Sequence, residues 1–450
     1  MGIGARVNAP VDDPARTPVT GAARLRVGAG WIAALVLAMI GVYAGWFGPI
    51  QILLPGQAEQ FETAGYGGKE TILAVCTGVG AAISMIANPL WGFVSDRRAA
   101  TAGRRGIVIA GTGVAVAGLL VLAAAPNPAL MLLGWILVQI GLNGPQAGLA
   151  ASIADRVPER QRGTVGSLFG IAQMAGVVTG TGVAALGGTR IGYLVLAVAV
   201  PALIAAWTLI HTQGSRPGPH GLQPESHGLR TGLVVPRPAT LRPGGRSAGV
   251  RRGIRVRPSG QFGWAWAVRF LMNTGNSLML LYLYFYLDDE IGVADPAGGV
   301  LVVTVSNIVI AALAAGFGGY LSDRLGRRRG FAVVAGAVTV AGNAVLAVSP
   351  GFAVVLVGAA VAAVGWGLYL AVDMAIVTAT LTEPDSFATM LGVANVANAL
   401  PQVVAPVLAA PLLAWGAGYG GVFGAAAVAA LFAIVCARRL RLPNPKLDPA

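Results

Sequence analysis

"GFVSDRRAATAGRRG" occupies Gly92 to Gly106, and "GYLSDRLGRRRG" occupies Gly319 to Gly330, 227 residues later. The first stretch sets one Asp and four Arg into a chain that is 55% hydrophobic and only 11% charged. Soluble domains carry about 25% charged residues, so charge is scarce here and its placement is informative. Each stretch follows a long apolar run, and runs of about 20 such residues are long enough to carry a helix across a bilayer core. They recur at 27–54, 71–94, 106–125, 129–152, 163–187, 190–211, 262–287, 298–321, 330–348, 352–381, 386–411 and 414–437. Lipid offers no partners to open backbone groups, so each run is expected to be helical. The expectation is an all-α membrane protein with twelve transmembrane helices.

The Arg clusters also orient the chain. Placing both termini in the cytoplasm puts every one of the 31 Lys and Arg on the inner side except Lys69, Arg190 and Arg269. Cytoplasmic loops carry the excess of basic residues, so this orientation is expected in a plasma or inner membrane. It also accounts for the net charge of +13 without nucleic acid as a partner. Arg24 and Arg26 precede the first run, as in a signal peptide, but removing that run would break the helix count. Cys76 and Cys436 sit in apolar runs and read as small buried residues. His211, His220 and His227 have no carboxylate or Cys cluster beside them, so no metal site and no cofactor are expected.

The longest connection, 212–261, holds nine Arg between Arg216 and Arg257, many Pro and Gly, and no apolar periodicity. It reads as a flexible basic linker on the cytoplasmic side, near anionic headgroups. The expected organisation is therefore a cytoplasmic tail at 1–26, a six-helix bundle at 27–211, the linker, a second six-helix bundle at 262–437 and a cytoplasmic tail at 438–450. The two bundles repeat one another. Gly92-x-x-x-Asp96-Arg97 matches Gly319-x-x-x-Asp323-Arg324, and "VPERQRGTVG" (Val157 to Gly166) aligns with "EPDSFATMLG" (Glu383 to Gly392) at a shift of 226. Parallel repeats of this kind are typical of secondary transporters.

With these residues the chain resembles the major facilitator superfamily, whose signature is a G-x-x-x-D-R-x-G-R-R loop after the second helix, often echoed after the eighth. Gly319, Asp323, Arg324, Gly326, Arg327 and Arg328 fit it closely. The first copy departs, with four extra residues between Arg98 and Gly103-Arg104-Arg105. An Asp at a helix C-terminus faces the negative end of the dipole and needs compensation. An Arg fork or the start of a helix in the opposite bundle can supply it. Gly92, Asp96, Arg97, Arg104 and Arg105, with Gly319, Asp323, Arg324, Arg327 and Arg328, are therefore expected to latch the two bundles in an outward-open state. The two Gly would allow close helix approach.

The resemblance implies that spans 1, 4, 7 and 10 line a central cavity. Gln139, Asn143 and Gln146 share one helix face, as do Arg269, Asn273 and Asn276. Trp366, Tyr369 and Asp373 follow a similar spacing, Asn395, Asn398 and Gln402 lie in span 11, and span 1 offers Tyr43, Trp46 and Gln51. Polar residues repeated on single faces point to a wet cavity for substrate. Asp373 is the only acid deep in a span, and such groups are usually paired or functional. It lies about 12 Å from the cytoplasmic end and Arg269 about 10 Å. The matching depths predict an ion pair between them, with structural neutralisation and coupling as alternative roles. Glu59, Glu62, Glu70, Asp288, Asp289 and Glu290 border the outer side and read as solvated loop charges.

No P-loop is present, and no H-E-x-x-H or G-x-S-x-G, so neither ATP-driven transport nor enzymatic catalysis is expected. The expected function is secondary active transport of a small organic solute by alternating access, as a monomer among membrane lipids. "GWFGPIQILLP" (Gly45 to Pro55) and Asn398-Ala-Leu-Pro-Gln402 loosely resemble the sucrose and glycoside symporter branch, which implies a sugar or similar polar solute and a coupling proton or cation. Spans 1, 4 and 5 carry none of the charges usual in that branch, so coupling would rest on Asp373. The alternative is drug or metabolite efflux. Its usual G-P-x-x-G-G ending of helix 5 is replaced by "GIAQMAGVVTGTG" (Gly170 to Gly182), which has no Pro. An intramembrane enzyme or a solute receptor is the alternative from another class.

Overall fold

The computed structural model describes residues 27–98, 104–213, 260–381 and 387–441, which form helices joined by short turns. The two expected tails lie almost wholly outside the described residues, as do 214–259 of the expected linker, with His220 and His227. The first membrane helix begins as α1 (Ala29–Gly48), passes through a π-helical stretch (Pro49–Leu53) and continues as α2 (Leu54–Thr63). A Pro inside a helix has no N–H to give. The bonding widens around it, and the Leu54 N–H reaches the Pro49 carbonyl. There follow α3 (Lys69–Arg98), α4 (Arg105–Ala124), α5 (Pro128–Arg156) and α6 (Glu159–Gln213). After the linker come α7 (Gly260–Phe285), which ends in a second π-helical stretch (Tyr286–Glu290), and α8 (Pro296–Leu325). The chain closes with α9 (Arg328–Ala347), α10 (Phe352–Ala379), α11 (Phe387–Ala414) and α12 (Gly418–Arg439).

Among the described residues, ten helices are long and apolar enough to cross a membrane. Two further steps bring the count to twelve. First, α6 has 55 residues, which straight would be about 80 Å, far beyond a core of about 30 Å. It breaks at Gly188, where φ is 65° and ψ is 173°, a conformation only glycine adopts readily. Before the break Gly176 packs against Ile40 and Tyr43, and Gly180 against Ala44. After it Gly192 meets Leu53, and Gly41 meets Val200 and Leu203. The contacts run up α1 and then back down, so the two arms are antiparallel spans. Second, α7 has 26 residues, enough to span, but Arg269, Asn273 and Asn276 dilute its apolar character.

The repeated loop shows why its second Gly is there. Gly326 ends α8 in the left-handed conformation (φ 65°, ψ 21°), and its N–H bonds the Ser322 carbonyl at 2.9 Å. This is the usual glycine termination of a helix. α9 then starts two residues on, which forces a tight reversal. In the first copy α3 runs to Arg98 and 99–103 lie outside the described residues.

In the first half α1 packs along α6, and α5 lies against α3 and α4; in the second, α10 lies against α8 and α9, and α12 against α7 and α9. The halves meet where α3 lies beside α11 and α6 beside α8. With no hydrophobic drive between helices in lipid, close approach comes from small residues. A Cβ on Gly48 would sit 2.6 Å from the Gly180 carbonyl oxygen, and one on Gly118 would sit 2.7 Å from that of Gly134. Gly92 and Gly319 are different: a Cβ on either would meet nothing within 4 Å. In this conformation the tight contacts lie elsewhere.

Gly48→Val is expected to lower stability by about 1–3 kcal/mol or more, since the opposing Gly180 carbonyl is backbone and cannot retreat. Gly182→Ala, whose Cβ would lie 4.0 Å from its nearest neighbour, should be close to neutral. Thermal unfolding of the purified variants in detergent compares the two.

Candidate functional site

Three polar clusters lie inside or at the end of this bundle. The first belongs to the first half and carries no charge. Asn88 of α3 donates to the side-chain carbonyls of Asn143 (3.1 Å) and Gln146 (3.2 Å) on α5. Asn143 in turn donates to Ser84 at 2.8 Å and to the Gln139 backbone carbonyl at 2.7 Å. Gln146 donates to the Tyr43 hydroxyl of α1 at 3.5 Å. The expected residues Gln139, Asn143, Gln146 and Tyr43 thus join one chain of amides, with Ser84 and Asn88 added. Trp46 stands edge-on to Tyr43 at 5.8 Å.

The second cluster lies in the second half and is charged. Nη2 of Arg269 on α7 lies 2.7 Å from Oδ2 of Asp373 on α10. The Tyr369 hydroxyl donates to the other oxygen, Oδ1, at 2.6 Å. Trp366 packs on Tyr369 with ring centroids 5.3 Å apart, and Trp266 stacks on Phe270 at the same separation. Asn273 donates to the Arg269 backbone carbonyl (2.8 Å) and to Asn398 of α11 (3.2 Å). Asn276 is half-buried one turn further on, while Asn395 and Gln402 are exposed on α11. Arg269 itself is only 4% exposed.

Gln51 is set apart from both clusters. Held in the π-helical stretch and 3% exposed, its side-chain carbonyl accepts from Thr181 of α6 at 2.9 Å and from Thr304 of α8 at 3.1 Å. It sits on the seam between the halves.

The third cluster closes one end of that seam. Lys69, at the start of α3, places Nζ 2.6 Å from Asp289, 3.7 Å from Glu59 and 3.8 Å from Asp288. The same ammonium lies 5.0 Å above the Phe285 ring, and its side chain is only 7% exposed. The Tyr419 hydroxyl of α12, which donates to one acceptor at a time, lies 2.6 Å from Asp289 and 3.0 Å from Glu70. The Tyr419 N–H donates to Glu290 at 3.1 Å, and the Lys69 N–H to Glu62 at 3.1 Å. The reading of these acids as separate solvated charges is corrected: one lysine and one tyrosine gather them across the two halves. Sequence reasoning missed this because Lys69 and Asp289 are 220 residues apart and each lies in an ordinary polar loop.

At the opposite end, Arg104 forks onto Asp155 through Nε (2.5 Å) and Nη2 (3.2 Å) and reaches Ser95 through Nη1 at 2.7 Å. It ties α4 to the ends of α5 and α3 within the first half. Arg105 and Arg328 are half-buried, and Arg324 and Arg327 are exposed. The side chains of Asp96, Arg97 and Asp323 lie outside the described residues.

A family model described as Major Facilitator Superfamily matches residues 31–311 and 290–450. None of the curated proteins matches the sequence. Among solved structures, a bacterial homolog of the human lysosomal transporter Spinster, inward-facing and unoccupied, is 14% identical with a TM-score of 0.64, covering 92% of this chain and 96% of its own. The peptide transporter POT in complex with sulfate is 15% identical with a TM-score of 0.66, over 93% and 97%. A POT family transporter in complex with 5-aminolevulinic acid is 13% identical with a TM-score of 0.70, over 93% and 96%.

Removing one member of a buried ion pair leaves an uncompensated charge, which typically costs about 3–5 kcal/mol. Arg269→Ala is therefore expected to lower the unfolding temperature more than the Arg269→Ala, Asp373→Ala double variant, which leaves neither charge. Parallel melting curves of the two variants and the wild type check this.

Proposed function

The chain belongs to the major facilitator superfamily, and on that premise we propose that it is a secondary carrier of a small polar organic solute, working by alternating access. That it is a multi-pass membrane transporter follows from the family; the solute class and the conformational cycle are our reading. The observation that carries it is the Lys69 cluster, which joins the halves at one end of a seam lined further in by facing amides and the Arg269–Asp373 pair. A closed end, a polar interior and two separately packed halves are the parts that rocking between two open states requires.

The Arg-rich end faces the cytoplasm in this reading, because basic loops stay inside. The Lys69 end is then outermost, and the conformation is closed to the outside. The second-half signature loop, with Arg324 and Arg327 exposed, would engage the first half when the cytoplasmic end shuts. The molecules in complex with the two POT transporters, sulfate and 5-aminolevulinic acid, are small and polar, in keeping with amide-lined recognition. Amides suit hydroxyl-bearing solutes as well, which keeps sugar derivatives within the class.

Spin labels at Gly67 and Ala294, one on each half beside the Lys69 cluster, would test the cycle directly. Lys69→Gln removes the only cation among the acids gathered there, so like charges then face each other across the seam. The wild type should give a dominant short distance, and the variant a larger share of a second, longer one. A single unchanged distance in both proteins and under every solute tried would sink the alternating-access reading.

A further inference from the structure

We propose that the Arg269–Asp373 pair is the site at which the transported solute is held, and that the solute carries an anionic group, a carboxylate. This rests on the carrier reading and narrows its substrate class. The two partners are unequally satisfied. Asp373 is satisfied on both oxygens, by Arg269 at 2.7 Å and by Tyr369 at 2.6 Å. Arg269 is not. Its Nε and Nη1 are buried and have no hydrogen-bond partner among the described residues. Guanidinium offers five N–H donors in a flat fork, and leaving charged donors unmet in the interior is costly.

Pure neutralisation would favour the fork-on-fork geometry, with both carboxylate oxygens on one guanidinium edge. Here Asp373 gives Arg269 one oxygen and turns the other to Tyr369. Nε and Nη1 each lie beside Nη2 on a different edge of the guanidinium. Once the bond from Nη2 to Asp373 is released, a second planar anion can take a whole edge, matching it in shape and charge, and a hydroxyl or an amide lacks the charge. The surrounding rings, Trp366 and Tyr369, would flank the rest of the solute.

Charge balance then fixes what accompanies the anion. The empty pair is neutral, and a bound monoanion would make the site net negative in a medium that penalises isolated charge. The groups facing Asp373 are Arg269 from α7 and Tyr369 from its own helix. On α8, α9, α11 and α12 the Asp and Arg residues sit only at the helix ends: Asp323, Arg324, Arg328, Arg329, Arg438 and Arg439. Asp373 is therefore the acid at which balance is restored. The solute carboxylate accepts hydrogen bonds from Arg269, the Arg269–Asp373 bond breaks, and one proton from the aqueous medium passes to Asp373. One monoanion and one proton enter together, and the site returns to zero net charge.

The test uses the purified full chain and matched probes that differ only in the acid: glucose and glucuronate, glycerol and glycerate. A ligand that binds only the folded state raises the unfolding temperature by mass action, so probes at roughly 10 mM suffice for a weak site. At least one acid should stabilise the protein while its neutral partner does not, and the acid's affinity should rise up to about tenfold per unit fall in pH. Asp373→Asn should keep the acid response and lose its pH dependence. Arg269→Gln alone would strand Asp373 in the interior, so the Arg269→Gln, Asp373→Asn double variant, which is neutral and folds without the stranded charge, serves as the decisive protein. It should lose the acid response. The proposal is overturned if neutral partners stabilise equally, if no acid produces a shift, or if the double variant still responds to acid. Two distances at the Lys69 end in that case would leave the carrier reading standing, whereas their absence would remove that reading first.

Discussion

Everything in this protein follows from a solvent that cannot hydrogen-bond. In the bilayer core an open backbone or side-chain polar group has no water to turn to, so the chain satisfies its backbone in helices and its side chains in one another. Glycine contacts such as Gly48 on Gly180 bring helices close enough to pack without any hydrophobic drive between them. The polar side chains left within the spans are then drawn to the few places where another span offers a partner. Asn88 finds Asn143 and Gln146, Asn273 finds Asn398, and Arg269 finds Asp373. The interior clusters are thus as much a product of the lipid as the helices are.

The two halves share a topology but divide the chemistry unequally. The first half holds a chain of uncharged amides, hydroxyls and a tyrosine, which bind by hydrogen bonds and cannot change charge near neutral pH. The second half holds the one acid and the one base found deep in any span. Deep in the spans, charge is thus confined to the second half, whereas the first offers shape and hydrogen bonds there. Gln51 lies between them, accepting from a threonine of each half through a single carbonyl oxygen.

Which features were legible in the sequence depended on the range over which their cause acts. The spans were legible because hydropathy is local, whereas Gly326 was marked only as part of a signature and its helix-ending role came from its left-handed backbone. The 2.7 Å contact between Arg269 and Asp373 lies where matched depth placed it, since lone opposite charges in lipid have few other partners. The spacing of Asn143 and Gln146 marked a face but could not show that Ser84 and Asn88 of α3 would join it. The Lys69 cluster was illegible for a different reason. Its residues look like ordinary loop charges, and only the tertiary arrangement brings α3, α7 and α12 together. The turn within α6 was legible too, since the expected spans end at 187 and resume at 190, on either side of Gly188.

The strength of the contacts matches where reversibility is needed. Partly exposed ion pairs are typically worth about 0–1 kcal/mol, and the acids around Lys69 keep roughly a third of their side-chain surface open, 36% for Glu59, 29% for Asp288 and 35% for Asp289. Water can replace those contacts on the acids' side as they break, although the Lys69 side chain itself is 7% exposed and lies 2.6 Å from Asp289. The glycine contacts within each half are the reverse, close-packed and without a solvated alternative. The two kinds of contact thus differ in what replaces them when they break: water at the Lys69 end, nothing between the glycines. That difference is the physical basis on which the proposed rocking of the halves would cost less than unfolding either of them.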